Sequence, residues 1–133
     1  MPQPKDKMTV LIVEDDQFLQ KLLRSKFEKD GFVVVSASDG EDALRQATEH
    51  RPAVTLLDLL LPKINGFEVL TEIKTTPGLD KIPVIVLSNL SQEEDISRAR
   101  ELGAEDFIVK ADHSIHDIVE RVKELFAKQG VKA

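Results

Sequence analysis

The chain of 133 residues contains no cysteine. It therefore has no disulfide framework, and neither a metal site nor a nucleophile in it can use a thiolate. It also has no excess of positive charge: the formal net charge is −6, which disfavours nonspecific binding to nucleic acid or to an anionic membrane. The first residues contain no apolar signal core, and no apolar run approaches the length of a membrane span. These absences predict a cytoplasmic protein that binds neither nucleic acid nor membrane directly.

The composition is typical of a globular protein, with 41% hydrophobic and 32% charged residues. A chain of this length suits one domain that buries a sizeable core. We expect that domain to cover residues 8–128, between flexible tails at 1–7 and 129–133. We expect no separate DNA-binding or catalytic domain within these residues.

Short apolar runs alternate along the chain with segments whose apolar residues recur at helical spacing. The runs that predict strands are residues 9–13, 32–37, the first part of 53–62, 84–88 and 106–110. Five apolar strands, each followed by a helical segment, predict a parallel α/β sheet with helices on both faces.

Three helix boundaries have signals of their own. Gly31 follows the first helical segment and predicts its end. Ser91 with Glu94 predicts a capping box at the start of the fourth helix, and Ser114 with Asp117 predicts the cap of the fifth.

The third apolar run, from Ala53 to Pro62, contains a single carboxylate, Asp58. Pro62 and the Asn65-Gly66 pair indicate a loop and a turn, so Asp58 is predicted to lie where a buried strand gives way to a loop. Burying a lone carboxylate is costly unless it is paired, hydrogen-bonded or bound to a cation. We therefore expect other residues to compensate its charge.

Polar side chains follow four of the five predicted strands. In open parallel sheets, ligands bind outside the carboxyl ends of the strands. At about 5 Å two carboxylates repel each other by roughly 3 kcal/mol, so three of them either raise a pKa or recruit a cation. Oxygen ligands without histidine or cysteine favour a hard ion such as Mg²⁺. The residues concerned are Glu14, Asp15, Asp58, Ser88 and Lys110.

Four segments in this order resemble the motifs of one protein family. They are Val-Glu-Asp-Asp at 13–16, Leu-Leu-Asp-Leu-Leu-Leu-Pro at 56–62 with the Asn-Gly pair after it, Pro-Val-Ile-Val-Leu-Ser at 83–88, and Gly-Ala-Glu-Asp-Phe-Ile-Val-Lys at 103–110. Over residues 8–128 the chain resembles a response-regulator receiver domain (CheY-like) of two-component signalling. The resemblance implies a doubly wound, flavodoxin-like (βα)5 fold with strand order 2-1-3-4-5.

The resemblance also implies a phosphorylation site that depends on a metal ion. Asp58 would accept a phosphoryl group from a phosphohistidine of a sensor histidine kinase or phosphotransfer protein. Asp15 and Asp58 would bind Mg²⁺ directly, with Mn²⁺ as a possible substitute. Glu14 would act on the ion through water, and the backbone carbonyl of Leu60 would be a further ligand.

The remaining site residues would bind the phosphoryl group and transmit the signal. Ser88 would hydrogen-bond it, Asn89 would lie against it, and Lys110 would form an ion pair with it. Inward movement of Ser88 would open a space for Phe107, where many relatives have Tyr. Ordinary core packing of Phe107 is an equally good interpretation.

The signal would be read by an unknown downstream protein at the face made by the fourth helix, fifth strand and fifth helix. We expect a monomer or a phosphorylation-dependent dimer. We expect no enzyme activity beyond the domain's own phosphorylation and slow dephosphorylation.

The sequence departs from the family pattern at three places. Ala111 follows Lys110, where relatives have a cis proline; because Lys110 must reach the phosphate, we predict a cis Lys110–Ala111 bond in spite of its cost of about 3 kcal/mol. Asn89 stands where Ala or Gly is usual, and its bulk would narrow access to Asp58. Leu60 and Leu90 cannot position an attacking water, which predicts slow self-dephosphorylation.

Three other functions fit the sequence less well. A receiver-like binding module that works without phosphorylation would normally lose part of the acidic set or Lys110. A flavin-binding carrier would have a Ser/Thr/Gly-rich phosphate loop after the first strand, where this chain has Glu-Asp-Asp-Gln. A phosphatase of the aspartyl-phosphate type would have Asp-x-Asp there, but position 17 is Gln.

Overall fold

A computed structural model describes residues 8–90 and 92–128. The described residues form a five-stranded parallel sheet with strand order β2-β1-β3-β4-β5, which confirms the predicted fold. The strands are β1 (Thr9–Val13), β2 (Val33–Ala37), β3 (Val54–Leu57), β4 (Val84–Ser88) and β5 (Asp106–Val109). The helices are α1 (Gln17–Lys29), α2 (Gly40–His50), α3 (Gly66–Thr75), α4 (Glu93–Glu101) and α5 (Ile115–Lys128), and a 3₁₀ turn, Lys110–Asp112, follows β5.

Alternation of side chains along the strands builds one apolar layer on each face of the sheet. In β1, Leu11 and Val13 pack towards α2, α3 and α4, whereas Val10 and Ile12 pack towards α1 and α5. Because both faces are covered by helices, the strands are mainly apolar and every residue of β3 is buried. Among the described helices, none combines the length and the apolarity that crossing a bilayer requires.

Several predicted boundaries differ from the observed ones. The predicted strand at 106–110 ends earlier, at Val109, and the one predicted at 32–37 begins at Val33. The third strand ends at Leu57, so Asp58 directly follows it, as predicted. The apolar residues after Leu57 belong to the loop, where Leu59 is buried in the core and Leu60 is 56% exposed. Apolarity there reflects packing of the loop and not extension of the strand.

The helix caps agree with the prediction in α5 and differ in α4. The side chains of Ser114 and Asp117 form the predicted box, each accepting a hydrogen bond from the other's backbone N–H. In α4 the backbone N–H of Gln92 donates to Asp95, one position beyond the predicted Glu94, because the helix begins at Glu93. Ser91 and the predicted tails at 1–7 and 129–133 lie outside the described residues.

Candidate functional site

The carboxyl ends of four strands meet at one edge of the sheet around Asp58, which is 4% exposed. The hydroxyl of Ser88 donates a hydrogen bond to its Oδ1 atom at 2.9 Å, and the ammonium of Lys110 donates to Oδ2 at 2.8 Å. The backbone N–H of Leu60 also donates to Oδ1, at 3.2 Å. Three donors on a buried carboxylate offset the cost of removing it from water.

Lys110 also links Asp58 to Glu14. Its Nζ atom lies 2.7 Å from Oε1 of Glu14, while Oε2 accepts a hydrogen bond from the backbone N–H of Asp16 at 3.1 Å. Burial raises the pKa of Glu14 in spite of the opposing hydrogen bond from Lys110. Burial by itself would lower the pKa of Lys110, but its hydrogen bonds to Asp58 and Glu14 outweigh that effect and raise it. Lys110 is therefore a fully charged ammonium at neutral pH.

Three carboxylates at this edge are close enough to share a cation. Glu14, Asp15 and Asp58 each offer an oxygen, and these oxygens lie within 4.8 Å of one another. Glu14 and Asp58 are buried, whereas Asp15 is exposed at the rim. An all-oxygen set with an open side fits a hard divalent ion that keeps some of its water, such as Mg²⁺.

The loop after Asp58 is held by a close backbone approach at Gly66. A Cβ atom on Gly66 would lie 2.3 Å from Cα of Leu59 and 2.5 Å from the carbonyl oxygen of Asp58. The N–H of Gly66 donates to the carbonyl of Leu59 at 2.9 Å, and the side chain of Asn65 caps α3 by accepting from the N–H of Glu68. The sequence indicates a turn at Asn65-Gly66, but it does not predict that the glycine packs against the strand end that carries Asp58.

Ser88 and Phe107, the predicted switch residues, occupy different environments. Ser88 is fully buried, and its hydroxyl accepts a hydrogen bond from the N–H of Leu90 while it donates to Asp58. Its hydroxyl therefore already lies on the Asp58 carboxylate. Phe107 is half-buried against the core on the α2, α3 and α4 side. Phe107 therefore packs against the core, and a switching role for it stays a prediction.

The predicted cis bond between Lys110 and Ala111 is wrong, because the peptide bonds of the described residues are trans. Lys110 begins a 3₁₀ turn and reaches Asp58 from there without a cis bond. The N–H of Ala111, which a proline would lack, donates to Oδ1 of Asn89 at 2.9 Å. The exposed Asn89 side chain lies at the rim of the site beside this turn.

A groove of about 460 Å³ opens beside Lys110, between α1 and the start of α5. Phe18 and Leu22 line this groove and are 73% and 40% exposed. Both belong to the apolar residues of α1 that recur at helical spacing, a pattern that predicts burial against a core. The buried residues of α1 are Leu23 and Phe27. The apolar face of α1 is thus wider than the part of it that packs against the sheet. The extra apolar residues on this face are the sequence signal for the exposed groove.

The chain matches known proteins over most of its length. A model of the family described as the response regulator receiver domain matches residues 10–123. The polar-differentiation response regulator DivK of Brucella anthropi is 36% identical over 115 residues, which cover 86% of this chain and 93% of that protein. A probable transcriptional regulator, ycf27, of Guillardia theta is 38% identical over 104 residues. The match covers 78% of this chain but only 40% of that longer protein.

Solved structures agree with the architecture. A putative response regulator from Chloroflexus aurantiacus superimposes with a TM-score of 0.83 at 29% identity, over 91% of this chain and 98% of the other. The Mn²⁺-bound form of the response regulator Rcp1 superimposes with a TM-score of 0.76 at 29% identity, over 90% of this chain and 92% of that one.

Proposed function

The chain belongs to the response regulator receiver domain family, and on that premise we propose that it is a phosphoacceptor switch in which Asp58 takes a phosphoryl group from a histidine. The observation that carries this proposal is the pair of hydrogen bonds to the buried Asp58 carboxylate from Ser88 and Lys110. A receiver-like module that works without phosphorylation would have no need to keep Glu14, Asp15 and Lys110 beside this carboxylate.

The proposed reaction forms a bond between a carboxylate oxygen of Asp58 and phosphorus. The bond between phosphorus and the histidine nitrogen of a sensor kinase or phosphotransfer protein breaks, and its electron pair stays on that nitrogen. Phosphoryl transfer depends mainly on positioning and on neutralisation of charge. Two of the three donors now on the carboxylate, the hydroxyl of Ser88 and the ammonium of Lys110, would then hydrogen-bond the phosphoryl oxygens instead, and Asn89 lies at the same rim.

The metal ion would be held by Asp15, Asp58 and the backbone carbonyl of Leu60, with Glu14 acting through water. The chemistry that bound Mg²⁺ supplies is neutralisation of the phosphoryl oxygens beside three carboxylates. Mn²⁺ is a suitable substitute because it takes the same oxygen ligands. Support for this assignment comes from the carboxylate oxygens of Glu14, Asp15 and Asp58, which all lie within 4.8 Å of one another.

The output that we propose is a change at the face formed by α4, β5 and α5. Phosphorylation shifts the domain between two states only by its different interaction with each of them. Ser88 ends β4 and Phe107 lies in the adjacent strand, opposite Val86, so a shift at Ser88 has a short path to this face. An unidentified protein, or a second copy of the chain, would read the change in the cytoplasm. The domain would catalyse only its own phosphorylation and slow dephosphorylation.

Incubation with acetyl phosphate and Mg²⁺, followed by measurement of the intact mass, tests this proposal. We expect a gain of about 80 Da, the mass of one phosphoryl group, in the unaltered chain. The gain should be lost in Asp58→Asn and on chelation of the metal. A gain that persists in Asp58→Asn would refute the assignment.

A further inference from the structure

We propose that Asn89 is a positioning residue for Lys110: its side-chain oxygen holds the Lys110–Ala111 peptide and thereby the ammonium that contacts Asp58. The inference deepens the proposed function and rests on it, because the site that Asn89 would serve is the phosphorylation site.

The contact lies where β4 and β5 part. The last paired residues of the two strands are Ser88 and Val109. Beyond that pair, one residue after Ser88 and two after Val109, Oδ1 of Asn89 accepts a hydrogen bond from the N–H of Ala111 at 2.9 Å, across 22 residues of sequence. The side chain of Asn89 thus continues the link between the strands after the backbone ladder has ended.

The 3₁₀ turn at Lys110–Asp112 needs such a partner. The first N–H groups of a helical turn have no acceptor within the turn, and a side chain in the preceding position often supplies one. Val109, which precedes this turn, has an aliphatic side chain and cannot accept a hydrogen bond. Asn89 supplies the acceptor from the neighbouring strand instead.

The hydrogen bond fixes more than the N–H of Ala111. Because a peptide unit is planar, its N–H and the carbonyl and Cα of the preceding residue turn together. Holding the N–H of Ala111 therefore orients the main chain of Lys110, whose ammonium lies 2.8 Å from Asp58 and 2.7 Å from Glu14. On the other side, Asn89 directly follows Ser88, which donates to Asp58. The hydroxyl of Ser88 and the ammonium of Lys110 are thus both linked to the end of β4.

Asn89 could instead act through its own amide on the phosphoryl group, and the two roles make different predictions. A role through Ala111 requires the N–H of that residue, so the effect of Asn89→Ala should vanish when Ala111 is replaced by proline. A direct contact does not require it, so the effect should be the same in both backgrounds. Ala111→Gly is the matched control because glycine keeps the N–H.

The first measurement is amide hydrogen exchange at residue 111, with neither phosphodonor nor Mg²⁺ present. We expect Asn89→Ala to accelerate exchange of this amide about fivefold, the factor that corresponds to one ordinary hydrogen bond. Asn89→Asp retains the acceptor oxygen and should restore protection. Unchanged exchange in Asn89→Ala would overturn the inference.

The second measurement is the initial rate of phosphorylation by acetyl phosphate and Mg²⁺, followed by intact mass. We expect Asn89→Ala to slow it about fivefold in the unaltered chain and in Ala111→Gly, and to have no further effect in Ala111→Pro. An equal loss in Ala111→Pro would overturn the positioning role in favour of direct contact. An unaltered chain that takes up no phosphoryl group would refute the proposed function, while the exchange rates would still decide whether Asn89 holds the turn.

Discussion

The ammonium of Lys110 lies 2.7 Å from the carboxylate of Glu14, which is only 2% exposed. The same ammonium contacts Asp58, so one cation compensates two buried carboxylates. A buried charge that loses its partner is far more costly than an exposed one. The stability of the site therefore depends on Lys110 as much as its chemistry does.

Replacing Lys110 by methionine should lower the free energy of unfolding by about 3 kcal/mol at pH 7, because two buried carboxylates lose their counter-ion. Burial already raises the pKa of Glu14 above 4.5. A carboxyl group whose pKa is raised in the folded state contributes to stability at pH values below its ordinary pKa. That contribution is lost as the pH rises through the folded-state pKa. The loss of stability should therefore shrink as the pH falls from 7 towards 4.5.

Urea denaturation at several pH values measures this effect, with replacement of the exposed Lys81 by methionine as the control. A loss that does not change with pH would contradict the explanation by buried charge.

Gly66→Ala should destabilise the domain by roughly 1–3 kcal/mol, because its Cβ atom would meet the backbone of Leu59 and Asp58. The strand end that carries Asp58 must shift to relieve this overlap, so phosphorylation should slow as well. Thermal unfolding together with the phosphorylation rate tests both parts. Glu72→Ala, on the exposed side of the same helix, is the control that should leave both unchanged.

Thr55→Val should raise the free energy of unfolding by about 1 kcal/mol. Thr55 is fully buried between Leu11 and Val84, and its hydroxyl has no hydrogen-bond partner among the described residues. Removing an unpaired buried hydroxyl eliminates a desolvation cost while the shape of the side chain is kept. Chemical denaturation measures the difference. Thr71→Val should not stabilise, because that hydroxyl already donates to the carbonyl of Phe67.

Leu60→Asn should shorten the lifetime of the phosphorylated form by at least about tenfold, because an amide at this exposed position can orient an attacking water. Leu60→Met keeps the apolar character and should leave the lifetime unchanged. The decay of phosphorylated protein after removal of the donor gives both rates. Equal lifetimes for the Asn and Met variants would show that the apolar residue does not protect the phosphoryl group.

The sequence is a good guide to the sheet and to the acidic edge of the site. β1 and β4 begin and end at the predicted residues, because each is a short apolar run that ends before polar residues. Carboxylates that follow parallel strands must lie at one edge, so the approach of Glu14, Asp15 and Asp58 was predictable.

The path of the chain after β5 was not predictable in the same way. The expected cis bond assumed that Lys110 needs the geometry of a proline to reach Asp58. In the structure a 3₁₀ turn gives Lys110 that reach, and the exposed side chain of Asn89 satisfies the free N–H of Ala111. Such a contact depends on the relative placement of two loop residues, which no local pattern encodes.

Treatment of the phosphorylated protein with hydroxylamine tests the central claim most directly, because this nucleophile displaces phosphate from an acyl phosphate and leaves a hydroxamate on the carboxyl carbon. The protein is incubated with acetyl phosphate and Mg²⁺, treated with hydroxylamine and analysed by peptide mapping. We expect a gain of about 15 Da at Asp58, because a carboxylate reacts with hydroxylamine in this way as an acyl phosphate and not as a free carboxylate. The gain should be absent without acetyl phosphate. A hydroxamate at Asp15 instead, or phosphate that resists hydroxylamine and maps to Ser88, would contradict the assignment of Asp58 as the phosphoacceptor.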